Sequence, residues 1–366
     1  MSNRVKKIHE LGQSIWLDFI DRRIMDSGDL QKLIDEDGVR GVTSNPAIFE
    51  KAINSSSDYD EDIAKLAKEG KSNDDIFYGV AVEDIKRAAD LFTQVYEEEV
   101  KGADGYVSLE VSPRLALDTE GTTKQALELW KAVHKDNVMI KIPGTKEGLP
   151  AIQECIKQGL NINVTLLFGL KRYEAVTEAY ITGLEERVAM GKPIEYVSSV
   201  ASFFLSRIDV ITDPLLKEKG LDNLKGEVAI ASAKKAYEIY KRVFSSERFK
   251  KLEEKGAKPQ RLLWASTGSK DPAFSDVKYV EALIGPDTVD TVPLETLEAF
   301  RDHGNAANTL EEGLDKANEV LAKIKEAGID LDAITQQLED EGIDKFNKPY
   351  DKLLGAIETQ KQKALA

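Results

Sequence analysis

The sequence predicts an α/β protein built as a (β/α)8 TIM barrel with helical insertions and a C-terminal helical tail. A strand-then-helix pattern recurs from Ser14 to about Gly304 and contains eight candidate strands. Barrels of this kind usually take about 250 residues and tolerate insertions. An open doubly wound sheet is the alternative fold, but its first strand should be followed by a Gly-rich phosphate turn, and this chain has SIWLDFIDRR there.

The candidate strands are short and apolar, as is typical of parallel strands that are buried on both faces. They comprise residues 14–20, 39–44, 106–111, 137–143, 161–168, 195–202, 261–267 and 287–292. Helical patterns with recognisable ends lie between them, one from Ser27 to a stop at Gly38 and another from Thr145 to a stop at Gly159. A third helix is indicated by an apolar stripe over residues 170–184.

Two regions are predicted along the chain. Residues 1–304 form the barrel, and two long, charged intervals near 50–105 and 206–260 are predicted to be helical insertions. Residues 305–366 form a C-terminal helical extension packed on the barrel, with a break at residues 347–349, where the sequence reads Asn-Lys-Pro.

Composition and charge narrow the class of function. A chain of 366 residues with 42% hydrophobic and 31% charged residues has the composition of a soluble globular protein. Its 50 Lys and Arg against 65 Asp and Glu give a net charge of −15, which would repel nucleic acid and anionic membrane surfaces. No apolar run approaches the roughly 18 to 20 residues that span a bilayer. Neither nucleic acid nor a membrane is an expected partner.

The inventory of cysteine and histidine is small. Cys155 is the single cysteine, and residues 1–10 are polar without a signal-peptide core, so we expect a cytoplasmic protein. His9, His134 and His303 lie far apart, and no short-spaced His or Cys pair marks a metal site. Metal-dependent chemistry is therefore disfavoured.

Polar residues near the carboxyl ends of barrel strands should meet at the mouth of the active site. In strand order these candidates are Asp18, Thr43-Ser44-Asn45-Pro46, Glu110, Lys141, Asn163, Thr165, Ser202, Arg207, Ser266 and Lys270. Asp18 and Glu110 are carboxylates in apolar strands and suit general acid/base chemistry, although each could also cap a loop. Asn163 and Thr165 are two residues apart, so both face the same side of their strand. They could contact a substrate there, or they could form a polar inner layer of the barrel that is satisfied by its own hydrogen bonds.

Arg207 also has two interpretations. It could bind a phosphate, or it could lie on a surface helix.

Lys141 is the most distinctive candidate because it interrupts the otherwise uncharged strand VMIKIP. Burial would favour a neutral amine, which can attack a ketone and form a Schiff base. The alternative is a structural lysine that pairs with Glu110 or Asp18 inside the barrel. A buried ion pair and a nucleophile look the same in sequence, so both interpretations remain open at this point.

Five segments in register resemble the transaldolase family. They are GVTSNPAIF (41–49), VSLEVSPRLALD (107–118), MIKIPGT (139–145), INVTLLF (162–168) and SFFLSRID (202–209). The resemblance covers all eight strands, and the length, the opening SIWLDFIDR and the tail are most similar to the longer bacterial subgroup. It implies a class I aldolase-type barrel of the pentose phosphate pathway, with the Schiff-base lysine at Lys141.

The resemblance also implies roles for the other candidates. Asp18 matches the acid/base of the first strand, and Glu110 matches the carboxylate that transfers protons through a water held by Thr165. Other positions match substrate-binding residues: Asn45 for hydroxyls, Asn163 and Ser202 for the dihydroxyacetone subsite, and Arg207 for phosphate. Where the best-known subgroup has a second phosphate arginine, this chain has Ser266 followed by Lys270. Lys270 is the expected substitute.

The implied reaction transfers a dihydroxyacetone unit from sedoheptulose 7-phosphate or fructose 6-phosphate to an aldose phosphate, without metal or cofactor, in a monomer or homodimer. Three rivals remain. A fructose 6-phosphate aldolase-like enzyme would release dihydroxyacetone, but that relative has a tyrosine where this chain has Phe204. A phosphate-binding barrel isomerase would use Glu110 without a covalent lysine. A non-enzymatic scaffold would have an incomplete set of polar strand ends.

Overall fold

The computed structural model of the chain describes residues 3–99 and 102–365. Eight parallel strands pair in sequence order, and the first pairs with the last to close a barrel. The strands are β1 (Gln13–Leu17), β2 (Gly41–Val42), β3 (Tyr106–Glu110), β4 (Val138–Pro143), β5 (Ile162–Leu167), β6 (Ser199–Phe204), β7 (Arg261–Ala265) and β8 (Thr288–Val292). The predicted (β/α)8 barrel is confirmed. Residues 1, 2, 100, 101 and 366, which belong to the predicted barrel, insertion and tail, lie outside the described residues.

Three strands differ most in length or position from the prediction. β1 ends at Leu17, so Asp18 lies just beyond it, and β2 has only two residues. β6 starts later than predicted and continues through Phe203 and Phe204, because these residues pair with Trp264 and Ala265 of β7.

The described residues contain helices around the whole barrel. The α-helices are α1 (Arg4–Glu10), α2 (Arg22–Asp26), α3 (Asp29–Lys32), α4 (Pro46–Ser55), α5 (Asp60–Lys68), α6 (Asn73–Leu91), α7 (Thr119–Val133), α8 (Gly148–Gln158), α9 (Leu170–Ala189), α10 (Ser206–Glu218), α11 (Val228–Phe244), α12 (Glu247–Glu253), α13 (Lys278–Ala282), α14 (Leu294–His303), α15 (Leu314–Glu326) and α16 (Leu331–Leu365). Short π-helical segments are Leu33–Asp37 and Val95–Glu99, and 3-10 turns are Pro113–Leu115 and Asp222–Leu224. No helix within the described ranges is long and apolar enough to cross a bilayer.

The predicted helix ends are mostly where expected. Gly38 and Gly159 end their helices with φ of 70° and 94°, values that glycine adopts without strain. Thr145 accepts a hydrogen bond from the Gly148 amide at 2.9 Å before α8 begins. Ser27 instead ends α2, because Gly28 turns the chain and α3 begins at Asp29.

The C-terminal tail differs from the prediction in one respect. The predicted break at 347–349 is wrong, because α16 continues through Pro349 to Leu365. Tyr350, directly after the proline, is buried, and its ring packs edge-on against Phe77 at 5.7 Å between centroids. This packing holds the helix on the barrel across a residue that lacks a backbone donor. Helices occupy most of the described residues in both predicted insertion intervals, and the division of the chain at residue 304 stays a prediction.

A polar cluster closes the amino-terminal end of the barrel. The Trp16 indole donates to Asp104 Oδ1 at 2.7 Å, and Arg261 donates to Ser14 Oγ at 2.7 Å. Ser14 also donates to Asp104. The amino-terminal end is therefore filled by side chains. The cavity described below lies at the opposite, carboxyl end of the strands.

Candidate active site

A cavity of about 180 Å³ lies at the carboxyl end of the strands. Its lining comprises Asp18, Thr43, Asn45, Lys141, Thr165, Ser202, Phe204, Arg207, Ala265, Ser266, Gly268, Lys270, Thr291, Pro293 and Phe346. Of the candidates from the sequence, Ser44, Pro46, Glu110 and Asn163 do not line the cavity, and all the others do. Glu110 and Asn163 contact lining residues from behind. Residues from most of the strands, distant in sequence, therefore meet in one cavity, as the barrel prediction requires.

Lys141 lies in β4 with its side chain only 7% exposed. Its Nζ donates to the Ser44 carbonyl at 3.0 Å. The Ser44 hydroxyl in turn donates to the Ser108 carbonyl at 2.7 Å, which holds the segment after β2 against β3. The amine is thus fixed by a neutral carbonyl, and one side of it faces the cavity.

Glu110 is the carboxylate nearest to this amine. Its Oε2 lies 3.6 Å from Lys141 Nζ, an ion-pair distance that is too long for a hydrogen bond. Burial raises the pKa of Glu110 to about 7, and the attraction of Lys141 opposes that rise only in part. Near neutral pH the group therefore exists in both protonation states, which suits a residue that gives and takes protons.

Asp18 lies at the rim of the cavity just after β1. The Thr43 hydroxyl donates to Asp18 Oδ1 at 2.6 Å, and Thr43 and Thr291 share a hydrogen bond of 2.7 Å between their hydroxyls. Burial raises the pKa of Asp18, while Lys141 and the Thr43 hydroxyl act in the opposite direction. Asp18 is held in one orientation and has a raised basicity.

A chain of hydrogen bonds orders the middle of the site. Ser202 Oγ donates to Asn163 Oδ1 at 2.7 Å, and Asn163 Nδ2 donates to Ser108 Oγ at 3.1 Å. Thr165 Oγ1 and Glu110 Oε2 are both buried and find no hydrogen-bond partner among the described residues. Buried polar atoms are seldom left unpaired, so these two atoms are suited to binding a water or a substrate hydroxyl.

Asn45 begins α4. Its Oδ1 accepts from the Ile48 amide at 3.0 Å and caps the helix. Because the oxygen is used in the cap, the NH₂ group of the same side chain is the part that can serve as a donor to a ligand.

Arg207 lies in the first turn of α10. Its guanidinium carbon is 5.5 Å from the centre of the Phe204 ring and 5.9 Å from the centre of the Phe346 ring. The Nη1 atom is buried and finds no hydrogen-bond partner within the described part of the chain. Burial also lowers the pKa of Arg207. A guanidinium with an unused donor in a cavity is suited to binding an anion.

Ser266 and Lys270 follow β7. Ser266 has a left-handed backbone with φ of 55°, and its hydroxyl forms a 2.8 Å hydrogen bond with that of Ser206. The Ser206 amide also donates to the Ser266 carbonyl at 3.1 Å. The ends of β6 and β7 are thus joined beside Arg207, while the exposed Lys270 lies farther out.

Sequence reasoning assigned no role to Thr43, Thr291 or Phe346, all of which line the cavity. Thr43 was noted only as part of a strand end, and Thr291 could have been found from its place near the end of TVDTV in the eighth strand. Phe346 reaches the cavity from α16, and nothing in its local sequence indicates this. The described residues hold no group of three or more His, Cys, Asp or Glu placed to bind a metal ion.

Comparison with known proteins identifies the family. The model of the transaldolase/fructose-6-phosphate aldolase family matches residues 15–357. The chain is 48% identical to a transaldolase of Trichodesmium erythraeum and 46% identical to a transaldolase of Saccharopolyspora erythraea, over 99% of both chains in each case. It is 44% identical to a transaldolase of Thiobacillus denitrificans, over 97% of this chain and 99% of that protein. The chain belongs to the transaldolase family and is an enzyme of the transferase class.

Proposed function

We propose that the enzyme transfers a dihydroxyacetone unit from a ketose phosphate to an aldose phosphate through a Schiff base on Lys141. The donor would be sedoheptulose 7-phosphate or fructose 6-phosphate. The observation that carries this proposal is a buried amine at the cavity surface, 3.0 Å from a neutral carbonyl and 3.6 Å from a carboxylate whose pKa lies near 7. Such an amine can lose its proton and attack a ketone.

In the first half of the reaction the Lys141 amine adds to the C2 carbonyl of the ketose and water is lost, which leaves an iminium. Asp18 then takes the proton of the C4 hydroxyl and the C3–C4 bond breaks. The electron pair of that bond flows into the iminium to give an enamine, and an aldose phosphate leaves. The raised pKa of Asp18 makes it a better base for this step.

In the second half the enamine attacks the aldehyde carbon of an acceptor aldose phosphate. Asp18 returns its proton to the new hydroxyl, and addition of water to the iminium releases the product and frees Lys141. Loss of water when the Schiff base forms, and addition of water when it is hydrolysed, both require proton transfer. We assign this transfer to Glu110, acting through a second water that is held by Thr165. Both residues have a buried oxygen without a partner.

The phosphate of the substrate is assigned to the space between the ends of β6 and β7. Arg207 would bind it through its unused Nη1, with Ser266 and Lys270 completing the site. Asn45, Asn163 and Ser202 would hold the sugar hydroxyls. A protein with a net charge of −15 needs such a local cationic group to hold a dianion.

Transfer, as opposed to release of free dihydroxyacetone, is favoured by Phe204. This ring lines the cavity and has no hydroxyl with which to protonate the enamine or to bind a water beside it. We place the reaction in the pentose phosphate pathway and in the cytoplasm. A monomeric or homodimeric state stays a prediction.

Borohydride reduction tests the proposal. Treatment of the protein with borohydride in the presence of fructose 6-phosphate should add a reduced dihydroxyacetone unit to Lys141, as shown by mass mapping. Lys141→Arg, which keeps the charge but cannot supply a neutral amine, should give no adduct and no turnover while its thermal unfolding stays close to wild type. An adduct on a different lysine, or turnover by Lys141→Arg, would refute the proposed mechanism.

A further inference from the structure

One face of α16 lies across the carboxyl end of the barrel. Gly342, Phe346 and Tyr350 are spaced four residues apart, so they share this face. A Cβ at Gly342 would lie 2.9 Å from Leu166 Cδ1, so the glycine lets the helix approach β5 without displacing that side chain. At the other side, the Tyr350 hydroxyl donates to Asp74 Oδ1 at 2.6 Å. Phe346 is therefore held between two fixed contacts.

Ion pairs anchor the helix on both sides of Phe346. Arg172 pairs with Glu339 at 3.1 Å, and Arg114 pairs with Asp351 at 2.7 Å. The Arg172–Glu339 pair is largely buried, so it resists screening by salt better than an exposed pair does. These contacts set both the register and the distance of α16 from the cavity.

Arg207 is partly buried, and within the described part of the chain it lacks the polar partners that usually orient such an arginine. Among the residues that the structure describes it forms no ion pair, and its Nη1 is unpaired. What it does contact is aromatic: Phe346 on one element and Phe204 on another, and the Phe204 ring itself packs on Phe168 at 5.2 Å between centroids. Ring faces attract a guanidinium without using its N–H donors.

We infer that Phe346 is a positioning residue for Arg207, and that the C-terminal helix thereby contributes to the preference for phosphorylated sugars. The face of the Phe346 ring contacts the guanidinium, and this contact leaves the N–H groups free to donate to phosphate oxygens. A carboxylate in the same place would orient the arginine equally well, but it would compete with the phosphate for the same donors. The inference rests on the proposed function in assigning the phosphate to Arg207.

The test compares D-glyceraldehyde 3-phosphate with unphosphorylated D-glyceraldehyde as acceptors for Phe346→Leu, Phe346→Tyr and wild type. Leucine keeps an apolar side chain but removes the ring, so KM for the phosphorylated acceptor should rise roughly tenfold, the scale of a partly buried cation–π contact. The kcat with this acceptor should stay close to wild type. The preference for the phosphorylated acceptor over glyceraldehyde should fall by the same factor. Tyrosine keeps a ring and should restore the wild-type KM.

Two controls separate positioning from simple packing. Ile343→Ala removes apolar contact from the same helix at a residue that does not line the cavity, and it should leave the preference between the two acceptors unchanged. In an Arg207→Ala background, Phe346→Leu should cause no further rise in KM, because the group that it orients is gone.

The outcomes distinguish this inference from the proposed function. If Phe346→Leu lost activity equally on both acceptors, or raised KM further in the Arg207→Ala background, the inference would be overturned. The proposed function would still stand in that case, provided that the wild-type enzyme turns over and forms the Lys141 adduct. Absence of turnover and adduct in wild type would overturn the proposed function and, with it, the assignment of phosphate.

Discussion

Glu110 and Lys141 are register partners on the adjacent strands β3 and β4, and Glu110 Oε2 lies 3.6 Å from Lys141 Nζ in a buried site. An ion pair kept only for stability would be expected to close to hydrogen-bond distance. Instead Lys141 donates to the Ser44 carbonyl, and Glu110 Oε2 is left without a hydrogen-bond partner in the described residues. Glu110 Oε2 is therefore free to accept a hydrogen bond from a water or a substrate hydroxyl, as the proposed proton transfer requires.

We predict that Glu110 and Thr165 act as one unit. Each has a buried oxygen without a partner, and the two strands that carry them flank the strand of Lys141. The double variant Glu110→Gln/Thr165→Ala should be about as slow as the slower single variant, because removal of either residue displaces the shared water. The measurement is kcat for the three variants with fructose 6-phosphate as donor. Losses that add fully would show that the residues have separate roles.

Arg207→Ala should weaken binding of the phosphate. We expect a loss of about 2–3 kcal/mol in kcat/KM for phosphorylated sugars, the scale of a charged hydrogen bond, with little change for unphosphorylated acceptors. Lys270→Ala should have the same effect more weakly, because a lysine is a point charge on an exposed side chain. Steady-state kinetics with matched acceptors measures both. If Arg207→Ala lost activity equally on the two kinds of acceptor, its role would be structural.

Asp290 should make stability depend on pH. It is buried in β8, and burial raises its pKa from 3.8 to about 8. Since the folded state holds this proton more tightly than the unfolded chain, the stability that it contributes is complete below about pH 4 and is lost as pH rises through about 8. Asp290→Asn cannot ionise and should exceed wild type in free energy of unfolding by a margin that grows across this interval.

Denaturant unfolding at pH 5, 6.5 and 8 measures the margin between Asp290→Asn and wild type. A margin that is the same at all three values would mean that Asp290 does not titrate in this interval.

Gly41 should be intolerant of a side chain. A Cβ there would lie 2.6 Å from the Tyr106 carbonyl oxygen and 2.7 Å from the Trp16 ring. Gly41→Ala should lower the free energy of unfolding by roughly 1–3 kcal/mol through this overpacking. The matched control is Gly355→Ala inside α16. A Cβ there would have no atom within 4 Å outside the local helix backbone, so this variant should raise the free energy of unfolding by about 0.5–1 kcal/mol. Thermal or urea unfolding of both variants measures these changes in stability. If Gly41→Ala were as stable as wild type or more stable, the close contact at Gly41 would have relaxed and the prediction would be wrong.

The barrel and most of its candidate site can be predicted from the sequence. Parallel strands buried on both faces must be apolar, so a charged or polar residue inside one, such as Lys141 or Asn163, is visible in the sequence. The carboxyl ends of all the strands meet at one mouth, so strand order alone brings Asp18 and Arg207 to the same cavity.

Contacts between segments that are distant in sequence, in contrast, become visible only in the folded molecule. Phe346 meets Arg207 because α16 packs across the mouth of the barrel, a contact between segments far apart in the chain. The unpaired oxygens of Glu110 and Thr165 likewise depend on which neighbours fail to reach them. A sequence pattern indicates which residues share a strand or a helix face. Hydrogen-bond partners, burial and the resulting pKa values are properties of the packed molecule.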